Sequence, residues 1–240
     1  MNLAIDIGNS FYKLGIFDGD HKVFVTRTPE LTIDFLNELN LKYNIEKLIY
    51  SSVKGNDKVL ESLNSKRDII VLEVNALCNL PFSIEYLSPD TLGSDRLAAV
   101  AGAYNKFKDS NVLIIDAGTA VTYDLLLAKG VYKGGNISPG LSMRFKALNT
   151  FTGKLPLVIP DYKYDMIGNN TVEAIRTGVQ QGLIYEINEY IRNFKIGYKD
   201  LEIVITGGDG EFISDKVEYP LEFIEDLVIE GLNYILNYNA

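Results

Sequence analysis

One short pattern occurs twice, and it constrains this chain more than any other feature. Leu3-Ala4-Ile5-Asp6-Ile7-Gly8-Asn9-Ser10 runs into the apolar stretch Phe11 to Phe17, and Leu113-Ile114-Ile115-Asp116-Ala117-Gly118-Thr119-Ala120 runs into Val121 to Leu127. Each copy reads as strand, glycine-containing turn, strand, which is the pattern of a β-hairpin. An aspartate at the end of a buried strand costs free energy unless it is paired or faces solvent at a cleft. The same cost met twice in the same local context predicts two related halves, with both carboxylates turned towards a common gap.

The segments between the hairpins fit α/β halves. Periodicity and propensity predict helices over 32–39, 57–63, 95–107, 141–148 and 171–194, and a closing helix from about 220 to 238. Strands are expected over 47–53, 69–72 and 202–206. The boundary is placed near 108–111, giving an N-terminal domain of 1–109 and a C-terminal domain of 110–240.

The composition removes several classes of function. The net charge is -9 and the lysines are scattered, so the basic stripe that phosphate contacts demand is missing and nucleic acid is not expected as a partner. The sole histidine, His21, sits in a polar stretch that reads as an exposed turn, and Cys78 is the sole cysteine. A His/Cys metal site, a disulfide within the chain and a Ser-His-Asp triad are therefore set aside. Chemistry falls to carboxylates, lysines, arginines, hydroxyls and backbone amides. No apolar run reaches the length of a membrane span, and the N-terminus enters a strand without a basic region followed by a long apolar one, so a cytoplasmic protein is expected.

Three groups of residues carry the chemistry. In the first turn, Gly8 lets phosphates approach backbone N–H donors, and Lys13 follows on the return strand. The Asp6 carboxylate repels phosphate directly, so its role is to hold Mg²⁺, through water, beside the phosphates. No Walker A loop occurs. In the second turn, Asp116 and Thr119, with Asp124 further along, offer a carboxylate to a cation and a hydroxyl to a phosphate oxygen. Third, Gly93-Ser94-Asp95-Arg96 opens a helix. Asp95 there is a first-turn acid favoured by the helix dipole, a general base towards a substrate hydroxyl, or both. Arg96 suits an anionic substrate group. The glycines of Gly134-Gly135-Asn136-Ile137-Ser138-Pro139-Gly140 and Thr206-Gly207-Gly208-Asp209-Gly210 mark either plain turns or close approach of backbone to a ligand or strand.

In this order, with Tyr86 and Asn170-Thr171 added, the motifs resemble those of the type III pantothenate kinases over essentially the whole chain. The resemblance implies an α/β fold of two similar actin-like (ribonuclease H-like) domains, with mixed sheets flanked by helices and an ATP cleft between them. It implies transfer of a phosphoryl group from ATP with Mg²⁺ to pantothenate, the first step towards coenzyme A. Another small-molecule kinase of the same superfamily, or a non-catalytic nucleotide-binding regulator, is the alternative. Residue by residue, Asp95 matches the catalytic base. Tyr86, Gly93, Ser94, Asp95, Arg96 and Thr171 match substrate contacts. Asp6, Ile7, Gly8, Asn9, Ser10, Phe11, Tyr12, Lys13 and Thr119 match ATP contacts, and Asp116 matches the ligand of a monovalent cation, K⁺ or NH₄⁺. A homodimer is implied as well. Ser10 stands where many members have Thr, and Ser94 where Ala is common.

Overall fold

The structure is a computed structural model that describes residues 1–52 and 69–239; the helix expected over 57–63 lies outside them. The chain packs as two compact units, one of residues 1–109, 129–134 and 226–240, the other of residues 110–128 and 135–225. The first break falls between residues 109 and 110. The chain then returns to the first unit, briefly at 129–134 and again for its last helix.

The first unit is built on a five-stranded sheet of order β3-β2-β1-β4-β5. Its strands are β1 (Asn2–Ile7), β2 (Tyr12–Asp18), β3 (His21–Thr28), β4 (Lys47–Ser52) and β5 (Ile70–Glu73). β1 and β2 form the antiparallel hairpin expected from the first repeat, and β1 lies parallel to β4 on its other side. Because side chains alternate along a strand, this sheet has two distinct faces. Leu3, Ile5, Ile7, Leu14, Ile16 and Leu48 form one, buried against Leu36 and Leu39 of α1 (Ile33–Tyr43). Thr32 caps that helix by accepting from the N–H of Phe35 at 3.2 Å.

The opposite face carries Asn2, Ala4 and Asp6 of β1 and Gly15 of β2. Two helices cover it: α2 (Ser94–Lys106) and α6 (Leu227–Tyr238). They approach closely because Gly231 has no side chain: a Cβ there would lie 1.9 Å from the Ala98 carbonyl oxygen. Gly15 likewise leaves room for Ile229, whose Cγ2 would meet an added Cβ at 2.3 Å. At the far end of the same face Asn2 donates to the side-chain oxygens of Asn233 (2.9 Å) and Asn237 (2.8 Å), which pins the register of α6 on β1.

The second unit repeats the plan. β7 (Asn111–Ala117), β8 (Ala120–Leu127) and β9 (Val131–Pro139) stand to it as β1, β2 and β3 stand to the first. β10 (Leu201–Thr206) and β11 (Glu222–Phe223) correspond to β4 and β5, in the order β11-β10-β7-β8-β9. The opening residues of β9 also pair with β6 (Ser83–Ile84). The core of this unit joins Leu113, Ile115, Tyr123 and Ile203 to Leu141 and Phe145 of α3 (Leu141–Phe151) and to Leu183 and Ile187 of α4 (Thr171–Gly197). A short α5 (Gly210–Ser214) follows β10.

One open alternative is decided and one local expectation is corrected. Gly134 to Pro139 lie within strand β9 rather than in a turn. Gly135 is needed there because a Cβ would fall 1.8 Å from the Tyr123 carbonyl oxygen on the neighbouring strand. The last helix begins at Leu227, not near 220. The residues before it run extended, Glu222–Phe223 pairing in parallel with Val204 and Ile205, so hydrogen bonding to a sheet edge outweighs helix propensity in that stretch.

Candidate active site

In the first unit, strand pairing lines up four polar side chains in one row. Asp6 on β1 is opposite Lys13 on β2, Lys13 is opposite Arg27 on β3, and on the other side Asp6 is level with Ser51 on β4. Partners in register share a face, so the row Ser51–Asp6–Lys13–Arg27 stands at the end of the sheet where α2 and α6 begin. The Ser51 hydroxyl, fully buried, donates to Asp6 Oδ1 at 2.7 Å. The Arg27 guanidinium lies over the half-exposed Phe11 ring of the turn, 5.7 Å from its centre.

Asp95 joins the row through a hydrogen-bonded latch. The Ser94 hydroxyl accepts from the Ser52 N–H at 3.0 Å and donates to the Ser52 carbonyl at 3.3 Å. Ser52 is the last residue of β4, directly after Ser51. The latch therefore holds the first turn of α2 against the strand that flanks Asp6. Asp95 Oδ1 accepts from the Arg96 N–H at 2.8 Å, and its carboxylate folds over Gly93, where a Cβ would meet it at 2.5 Å. Arg96 itself is buried.

The electrostatics follow from this crowding. Burial pushes the Asp6 carboxyl up to about 6, and the nearby Asp95 charge adds to the effect. The Ser51 hydrogen bond and the positive charges of Lys13 and Arg27 pull the other way and do not cancel it. Two carboxylates in a partly enclosed place, one of them reluctant to ionise, form a site that gains from a cation. Among the described residues no group of three or more His, Cys, Asp and Glu side chains is gathered to hold a metal. That donor set suits a hard divalent ion that keeps most of its waters, as Mg²⁺ does beside phosphates.

The second repeat has the same frame with different chemistry. Asp116 on β7 is opposite Thr122 on β8 and level with Thr206 on β10. Thr122 and Thr206 are both buried, and the Thr122 hydroxyl finds no hydrogen-bond partner among the described residues. The Asp209 N–H donates to the Ala117 carbonyl at 2.9 Å, and Gly207, with φ +94, passes close enough that a Cβ would touch Asp116 Oδ1 at 2.5 Å. The Gly207–Gly208 turn thus braces the Asp116 turn, and burial raises the Asp209 carboxyl above its usual range. Thr119 stands in the turn itself, where its carbonyl accepts from the Gly140 N–H at 3.0 Å.

Two further predicted substrate contacts remain. The Tyr86 ring packs on Gly134, where a Cβ would lie 2.7 Å from Cδ2. Thr171 is the exposed first residue of α4, after the capping Asn170, and borders an apolar groove of about 770 Å³ lined also by Arg144, Leu148, Phe151, Ile175 and Val179. Ser51, Ser52, Arg27 and Thr122 were not singled out from sequence. A polar pair ending the apolar run of β4 was the one visible signal. The rest follows from register, which sequence pattern does not give.

A family model described as type III pantothenate kinase matches residues 2–193. The chain belongs to the type III pantothenate kinase family. A type III pantothenate kinase of Bacteroides fragilis is 43% identical over 240 residues, covering 100% of this chain and 98% of the relative. The chain is accordingly a kinase that phosphorylates pantothenate in coenzyme A biosynthesis. Among solved structures, a Campylobacter jejuni protein assigned to the Baf family of transcriptional activators aligns with TM-score 0.63 at 23% identity, covering 99% of this kinase and 98% of that chain. A Sinorhizobium meliloti protein assigned as a 2-dehydro-3-deoxygalactonokinase gives 0.62 at 13% identity, covering 100% and 98%. These likenesses show the fold of this pantothenate kinase, the actin-like fold of sugar kinases, as its duplicated sheets do. No helix among the described residues is long and apolar enough to cross a membrane.

Proposed function

We propose that this kinase transfers the γ-phosphoryl group in line, with Asp95 as general base, the Asp6 turn at the phosphates, and Asp116 at a monovalent cation. The observation that carries this reading is the Ser94–Ser52 latch, which sets the Asp95 carboxylate beside Asp6. The pantothenate hydroxyl oxygen attacks the γ-phosphorus and its proton passes to Asp95. The bond from the γ-phosphorus to the bridging oxygen breaks, and ADP carries away the electron pair. Phosphoryl transfer asks mainly for positioning and charge stabilisation, so the base does not have to be strong. Bound at Asp6 through water, Mg²⁺ would offset the phosphate charge.

Lys13 presents an ammonium group on the return strand, and Gly8 to Tyr12 form the turn that receives the phosphates, with Thr119 a further ATP contact. Arg96, with Tyr86 and Thr171, faces pantothenate. At Asp116 the orphaned Thr122 hydroxyl and the level Thr206 add oxygen donors to the carboxylate, a hard-oxygen set that fits K⁺ or NH₄⁺.

The working form is a cytoplasmic homodimer. The groove at Thr171 supports it. Phe151 is 85% exposed beside it, and Met143, Val172 and Tyr185 are exposed on the same two helices. Added side chains at Gly178 and Gly182 of α4 would meet nothing within 4 Å. An apolar surface of this kind marks an interaction site, and a second copy is the occupant proposed. Light scattering is expected to return twice the chain mass; a monomer at micromolar concentration sinks the dimer.

The reaction is checked by coupled ADP release with MgATP, with and without pantothenate, and with K⁺ exchanged for Na⁺. ADP release is expected to depend on pantothenate and to fall at least tenfold in Na⁺. Equal rates in K⁺ and Na⁺ would remove the cation role from Asp116.

A further inference from the structure

Lys13 does not end at Asp6. Its ammonium forms an ion pair with Asp226 Oδ1 at 2.6 Å, and both side chains are largely shielded from solvent, 14% and 13% exposed. Asp226 is the residue at which the chain re-enters the first unit and the N-cap of α6. It makes no capping hydrogen bond to its own helix. Its second oxygen, Oδ2, accepts from Lys22 of β3 at 2.6 Å, and Lys22 pairs in turn with Glu230 at 3.1 Å. The two lysines hold the Asp226 carboxyl below its usual range in spite of the burial that opposes this.

A carboxylate that does not cap its helix, yet bridges two lysines on neighbouring strands, fixes where those ammonium groups stand. Lys22 lies outside the Ser51–Asp6–Lys13–Arg27 row, whereas Lys13 is part of it. A lysine side chain has several rotatable bonds and much rotamer entropy to lose, so an unheld ammonium spends much of its time away from any one phosphate oxygen. We infer that Asp226 is a positioning residue for the reaction: through its ion pair it holds the Lys13 ammonium in the row beside Asp6, ready for the phosphates of ATP. It touches neither substrate in this role and acts through Lys13 alone. The inference rests on the reading of Lys13 as an ATP contact.

The test is a double-mutant cycle on the KM for ATP in the full-length kinase, using Lys13→Met, Asp226→Asn and the pair. Lys13→Met is expected to raise KM for ATP tenfold or more, and Asp226→Asn about three- to tenfold, with KM for pantothenate within twofold of wild type. The double variant is expected to match Lys13→Met, because Asp226 has nothing left to position. Lys22→Met, which breaks the pairs of Lys22 with Asp226 and Glu230 but leaves Lys13–Asp226 in place, should leave both KM values within twofold. Asp226→Glu, which keeps the charge and shifts it by one methylene, should recover part of the loss, and it carries the test if Asp226→Asn fails to fold. If Lys13→Met leaves KM for ATP unchanged, the ATP role of Lys13 falls and this inference with it. If Lys13→Met raises it and Asp226→Asn does not, or if the two effects multiply in the double variant, the Asp226 inference alone is overturned.

Discussion

Asp95→Asn is expected to lower kcat by roughly 10²- to 10⁴-fold, the usual cost of losing a general base. KM for ATP should stay within a few-fold, because Asp95 acts on Asp6, at the nucleotide end of the site, through its charge. The fold should survive. Asn is isosteric, its Oδ1 can still accept from the Arg96 N–H, and the Ser94–Ser52 latch does not involve residue 95. Single-turnover kinetics would separate the chemical step from product release. Near-normal turnover with an intact melting curve would give the base to another group.

Asp6→Asn should separate stability from activity. Burial pushes the Asp6 carboxyl in the folded protein up to about 6, from an ordinary 3.8. The folded protein therefore binds this proton more tightly than the unfolded chain. The sign of the linkage is fixed: the carboxylate costs stability as pH rises through that interval, and the full cost is present above about 6. At pH 8, without nucleotide or divalent ion, the Asn variant is expected to melt above the wild type. The difference should shrink towards zero as pH falls below 4. For a chain of this size each kcal/mol moves Tm by roughly 2–4 °C, so the effect is within reach of calorimetry. Turnover should nevertheless fall by at least about 10²-fold, since the variant has no charge with which to hold Mg²⁺ at the phosphates. A variant that melts lower than wild type at pH 8 would show that the Ser51–Asp6 bond outweighs the desolvation.

Much of the architecture was legible because it is periodic or repeated. The two Asp–x–Gly hairpins, the helix that begins at Ser94 and the long α4 each follow from local pattern. What local pattern could not supply was register and return. Ser51 becomes a partner of Asp6 only because β4 lies parallel to β1 at a particular offset, and no feature of the sequence around Tyr50 states that offset. Asp226 is some 200 residues from Lys13 along the chain, and the ion pair at 2.6 Å exists only because the last helix returns to the first sheet. The closing helix was drawn too long for a related reason. Glu222 and Phe223 found a strand edge to pair with, and pairing of that kind depends on tertiary structure.

The two halves share a frame and differ at one decisive position. Across the strand from Asp6 stands Lys13; across the strand from Asp116 stands Thr122. The first half was built with its counter-charge covalently attached. The second keeps at the corresponding place a buried hydroxyl with no hydrogen-bond partner among the described residues. An ammonium or potassium ion drawn from solution would stand there in place of the missing lysine head group. With the monovalent cation proposed at Asp116, one aspartate has a tethered cation and the other would borrow one, and a need for potassium or ammonium would then come down to one side chain, Thr122 in place of a lysine.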